Sequence, residues 1–134
     1  MTKKKNEQKM ATNDKEERLK SYKIALELAT KFGQLASVEG VLPLCVSDIA
    51  LNTVVGILTS ISLGEKAKSA LNKLRYFSRS LEKVAKCKEL ITVMRECGWV
   101  DEEEYNQMEN DTVTLSKMMW GLVKRMRQVA TNQQ

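Results

Sequence analysis

The chain has 134 residues, 43% of them hydrophobic, which suits one domain with a modest core. It carries 22 basic and 17 acidic residues for a net charge of +5, and it has no histidine, so the commonest general base, metal ligand and triad member is missing. Its three cysteines, Cys45, Cys87 and Cys97, lack metal-ligand spacing, and their odd number fits reduced thiols of a cytoplasmic protein better than a disulfide framework.

No signal-peptide pattern marks the start of the sequence. Residues 1–13 are polar and lysine-rich without periodicity and read as a flexible basic tail, either simply solvated or able to tether nucleic acid. The remainder, 14–131, reads as one helical domain. Its first helix starts near Asp14 and ends near Val38-Glu39-Gly40, on a seam of Leu19, Tyr22, Leu26, Ala29, Gly33 and Ala36 with Leu28, Phe32 and Leu35 beside it. The small residues Ala29, Gly33 and Ala36 would let a neighbouring helix approach closely. Pro43 then closes a short loop.

From Ile49 to Gly64 the chain has no charge and is rich in β-branched residues, a strand by propensity alone. A lone strand among helices would leave its backbone groups unpaired, so a helix is expected. The uncharged stretch is shorter than the ~20 residues of a membrane span, is bounded by Asp48 and Pro43, and contains Asn52 and several hydroxyls; no membrane role is expected. A helix apolar on nearly every side is expected to be buried twice, by its own bundle and by another subunit, and Val54, Val55, Leu58 and Ile61 are the candidate interface residues.

Two long amphipathic helices follow. The seam of the first is Ala67, Ala70, Leu74, Phe77, Leu81, Val84 and Ile91, broken at Lys88; that of the second is Tyr105, Met108, Thr112, Leu115, Met119, Leu122, Met126 and Val129. A 3.5-residue period on both sides of a short turn predicts two antiparallel helices sharing an apolar stripe. In the turn, Gly98 suits a left-handed helix end, Asp101 and Glu104 are spaced as a capping box, and Val100 and Tyr105 as a hydrophobic staple. The whole chain therefore reads as all-α, an up-down-up-down antiparallel four-helix bundle.

Charge is polarised along the chain. Residues 66–95 carry +7 (nine basic, two acidic), 96–111 carry −7, and 112–134 carry +4. On the third helix Lys68, Arg75, Arg79, Lys83 and Lys86 fall away from the seam with Tyr76 among them, and on the fourth Lys117, Lys124 and Arg127 do so around Trp120. Cations on a rigid face can neutralise phosphates, and interleaved aromatics can stack on unpaired bases. Solvation of ordinary exposed basic side chains, with Trp120 covered by a partner subunit, is the other reading. The consecutive acids from Asp101 to Glu104 fan out around a helix and complement its dipole rather than converge on a metal. With no Gly-rich phosphate loop either, no enzyme, cofactor or metal is expected.

The run Ser80-Leu81-Glu82-Lys83, Leu90, Gly98-Trp99-Val100-Asp101-Glu102-Glu103-Glu104-Tyr105 and Leu115-Ser116-Lys117-Met118-Met119-Trp120-Gly121-Leu122-Val123-Lys124 resembles the last two helices of a bacterial four-helix-bundle family. That family includes proteins encoded in intervening sequences of large-subunit ribosomal RNA and the accessory variability protein of diversity-generating retroelements. The resemblance implies a ring-shaped homo-oligomer, a pentamer, that works with a reverse transcriptase and its template RNA without catalysing a reaction. The alternative is an oligomeric scaffold that binds protein and no nucleic acid.

Overall fold

The structure is a computed structural model that describes the backbone of residues 2–132 and the side chains of residues 15–132. It contains four helices, α1 (Thr2–Ser37), α2 (Leu44–Lys66), α3 (Ala70–Glu96) and α4 (Glu102–Asn132), and no strand among the described residues. Each helix packs on two neighbours, α1 on α2 and α4, and α3 on α2 and α4, so the four stand in a square with α1 diagonal to α3. Short connections make neighbours antiparallel. The first helix begins at Thr2 rather than near Asp14, so its backbone runs through the stretch read as a tail.

The corner between α3 and α4 forms as its residues dictate. Gly98 has φ 73°, and the Trp99 and Gly98 amides donate to the Met94 and Arg95 carbonyls, the paired bonds of a Schellman ending. The Glu104 amide donates to Asp101 Oδ1 at 2.7 Å while the Asp101 amide donates to Glu104 Oε1 at 3.1 Å, so two otherwise unpaired donors satisfy each other through their side chains. Val100 and Tyr105 are both buried beside this cap.

The seam of α4 is the expected one as far as Met126: Tyr105, Met108, Thr112, Leu115, Met119, Leu122 and Met126 are all buried, and Val129 at its end is only half-buried. In α3, Ala70, Phe77, Val84 and Ile91 are buried with Leu74 and Leu81 packed at the margin, while Ala67 lies before the helix as the extended cap of α2. Lys88 stays in solvent, and the thiol of fully buried Cys87 fills that layer instead.

The expected seam of α1 needs correction. Ser21, Ala25, Leu28, Phe32 and Leu35 face the core, whereas Leu19, Tyr22 and Leu26 are exposed and Ala29, Gly33 and Ala36 only half-buried. Ser21 enters the core cheaply because its hydroxyl donates to the Glu17 carbonyl at 2.7 Å.

The expected interface on α2 needs correction too. Val54 and Ile61 are fully buried inside the subunit's own core, so only Val55, exposed, and Leu58, partly exposed, remain outward. The helix is longer than its uncharged stretch: 23 residues from Leu44 to Lys66, long and apolar enough to cross a membrane by length and composition alone. Here, however, Ala50, Val54, Ile57 and Ile61 are buried against the other helices, and the Thr53 and Thr59 hydroxyls back-bond to Ile49 and Val55 carbonyls at 2.7 and 2.6 Å. Back-bonding is how β-branched hydroxyls are carried in a helix. Two glycines set the approach of α3. Phe77 packs over Gly64, and the stem of Lys83 crosses Gly56, where any β-carbon would stand 2.9 Å from Lys83 Cδ.

Candidate nucleic-acid interface

The outer surface of α3 is decided by its heptad. Positions 75, 82 and 89 form one stripe and positions 72, 79, 86 and 93 the next, both opposite the buried Phe77–Val84–Ile91 line; Lys68, expected on this helix, lies before its start in the α2–α3 connection. Lys68, Arg75, Arg79 and Lys86 are exposed, and Tyr76 and Lys83 are half-buried. Lys83 lies against α2 at Gly56, so Tyr76, seven residues earlier, shares that α2 flank. The Arg79 guanidinium sits 5.6 Å from the Tyr76 ring centroid, within cation–π range.

On α4 the side facing α1 is marked by three contacts: Ser21 Oγ to Met118 Sδ at 3.6 Å, Lys31 to Glu104 at 3.8 Å, and the Glu17–Arg125 ion pair. Trp120, two residues from Met118 and so about 200° around the helix, therefore faces outward on the flank toward α3. It is 44% exposed. Lys124 Nζ and the Arg127 guanidinium lie 5.6 and 5.9 Å from its ring centroid, and Lys117 is exposed one turn before it. Because α3 and α4 run antiparallel from the Gly98 corner, Arg75 near the start of α3 stands at the height of the Trp120–Arg127 end of α4.

The ten expected residues are thus all at the surface but fall into two groups. Tyr76 and Lys83 line the α2 flank of α3, with Arg79 and Lys86 on the outer stripe beside them; Lys117, Trp120, Lys124 and Arg127 stand on α4. Arg75 lies on the outer face of α3 between the groups, and Lys68 lies in the connection before α3. Exposed Glu82 and Glu89 continue the Arg75 stripe toward the corner and interrupt its positive charge.

Other cations are already engaged. Arg95 hydrogen-bonds Glu102 at 3.0 Å and covers the Tyr105 ring at 4.5 Å, and the Glu102 bond raises its pKa. Lys73 was not singled out from sequence, where it only borders the seam. Its ammonium donates to the Gly64 and Glu65 carbonyls at 3.1 and 2.9 Å, ending α2, and burial, then Arg18, lowers its pKa. Burial followed by Glu27 raises the pKa of Asp111 between α1 and α4. Among the described residues no group of Cys, Asp and Glu could hold a metal ion.

A second surface feature is apolar. Leu19, Tyr22 and Leu26 of α1 and Val55 of α2 are exposed, and Leu51 and Leu58 are partly so. The short α1–α2 loop sets an antiparallel register that brings Leu26 level with Val55 and Tyr22 level with Leu58, so these residues form one face across the two helices.

No family model matches the sequence, and no curated protein is similar to it by sequence. Among solved structures, the chain resembles a protein of unknown function from the S23 ribosomal protein family of Bacteroides thetaiotaomicron, with a TM-score of 0.75 at 17% identity over 81% of this chain and 98% of that one. At that identity the likeness is one of fold.

Proposed function

We propose that this protein is a non-catalytic accessory factor that binds RNA or single-stranded DNA through the outer faces of α3 and α4. The observation that carries the reading is Trp120, a large aromatic left 44% exposed with Lys124 and Arg127 over its ring. A base stacking on the indole would displace the two flexible cations from the ring to its flanking phosphates, a combination that binds single strands without reading their sequence. Lys68, Arg75, Lys117 and the cations on the other flank of α3 add phosphate contacts. The ribosomal name of the structural neighbour's family is compatible with an RNA partner. The resemblance to retroelement accessory variability proteins makes the partner concrete: a reverse transcriptase and its template RNA in the cytoplasm.

In this reading the apolar α1–α2 face joins copies of the chain into a ring-shaped homo-oligomer, a pentamer by resemblance. Leu19, Tyr22, Leu26 and Val55 are too large and too contiguous to be left in water without cost. Repetition of a weak basic patch around a ring then produces avidity along one strand.

The test is a gel-retardation or anisotropy series across salt. Wild-type protein should bind single-stranded RNA at low salt with a steep negative salt slope, and Arg75→Glu/Arg79→Glu should weaken all sequences alike and flatten the slope. Trp120→Ala should lose single-strand affinity with the oligomer intact. If wild-type protein retards no nucleic acid at low salt, the scaffold reading, in which the α1–α2 face is the working surface, replaces this one.

A further inference from the structure

The two basic groups are built alike. One has Tyr76 with Arg79 at 5.6 Å from its ring; the other has Trp120 with Lys124 at 5.6 Å and Arg127 at 5.9 Å. Each is an aromatic ring covered by cations on long, flexible side chains, which a stacking base would displace from the ring toward its neighbouring phosphates. They do not face the same way. Lys83 of the first group is laid across α2 at Gly56, while Trp120 of the second stands on α4 facing away from α1, so α3 itself separates them as a ridge. The ridge carries Arg75 level with the second group and exposed Glu82 and Glu89 farther toward the corner, so its positive charge does not run its whole length.

Length argues in the same direction. From Tyr76 to Lys86 a helix rises about 15 Å, and from Trp120 to Arg127 about 10 Å. At about 3.4 Å per stacked nucleotide each strip holds three to five nucleotides. A short single strand is satisfied by one strip alone, and reaching the other means crossing the full width of α3, about 10 Å.

From this arrangement, which rests on the nucleic-acid reading above, we infer that each subunit carries two separate single-strand sites, one on either flank of α3, and that the protein holds two strands side by side and so promotes their pairing. Two strands on one rigid subunit replace a bimolecular encounter with a local one at high effective concentration. Complementary segments held this way anneal faster than in free solution, with no covalent step and no cofactor.

Site counting with a hexauridylate at protein concentrations well above its dissociation constant tests the inference directly. Full-length protein should take up two hexamers per subunit. Arg79→Glu/Lys86→Glu and Trp120→Ala/Lys124→Glu should each take up one, and the two double variants should each lose at least most of the acceleration that wild-type protein gives to annealing of two complementary 20-mers. All four positions except Trp120 are open charged sites, and circular dichroism checks that the variants stay helical. One hexamer per wild-type subunit, or undiminished annealing by both variants, overturns the two-site inference while leaving nucleic-acid binding standing. No saturable uptake at low salt overturns both.

Discussion

Replacing Gly64 with alanine tests a close approach of α2 and α3. A methyl at this position would stand 2.5 Å from Cε1 and 2.8 Å from Cδ1 of Phe77. Phe77 is fully buried, and the space it would need to rotate into is occupied by the rest of the core, so the contact must be relieved by moving α2 away from α3. Such overpacking costs about 1–3 kcal/mol. The substitution also gains about 1 kcal/mol of helix propensity, which leaves a net loss of up to about 2 kcal/mol. With an unfolding entropy of about 2.1 cal/mol/K per residue over 134 residues, that loss lowers Tm by up to about 7 °C. Gly33→Ala is the control, because nothing lies within 4 Å of the methyl it adds. It should show the propensity gain alone, about 0.5–1 kcal/mol. Thermal and urea unfolding of both variants measures the difference. A Gly64→Ala protein as stable as Gly33→Ala would refute the claim that glycine sets the α2–α3 distance. A loss at Gly33 instead would reveal a neighbouring subunit packed on the outer face of α1.

At the corner, Asp101→Ala removes the acceptor for the Glu104 amide and should cost about 1 kcal/mol in urea unfolding, with nucleic-acid affinity unchanged; lost affinity at unchanged Tm would make the acidic corner a contact surface. Burial pushes the Cys87 thiol from about 9 up to about 12. Above pH 9 the unfolded chain releases that proton and the folded chain keeps it, so stability should fall from pH 9 toward 12, and Cys87→Ala should remove this component of the pH dependence. The same burial predicts that iodoacetamide labels exposed Cys45 and Cys97 in the native protein and reaches Cys87 only after denaturation. Finally, Val54→Lys places a charge in the subunit's own core and should unfold it, whereas Val55→Lys or Leu26→Glu on the outer face should leave a folded helical protein of lower mass by light scattering; dissociation by neither outer variant would exclude the α1–α2 face as the assembly surface.

The corner and α4 were legible in the sequence because their signals are local. Gly98, Asp101 and Glu104 act on backbone groups within five residues of themselves, and the α4 seam is one continuous apolar line on a mostly polar helix. The exposure of Arg75, Arg79, Lys124 and Arg127 followed from the same periodicity. In α1 and α2, by contrast, periodicity had more than one solution. The first helix carries two apolar lines, Leu19–Tyr22–Leu26 and Ala25–Leu28–Phe32, and only its position between α2 and α4 decided which was covered. The second is apolar almost all round, and the fit of Phe77 against Gly64 and of Lys83 across Gly56 turned Val54 and Ile61 inward and left Val55 outside. The division of the basic residues into two groups was likewise tertiary. A heptad places a side chain on a stripe of its own helix, but which neighbour stands beside that stripe depends on packing between segments distant in the chain, where burial is non-directional and shape alone selects the partner.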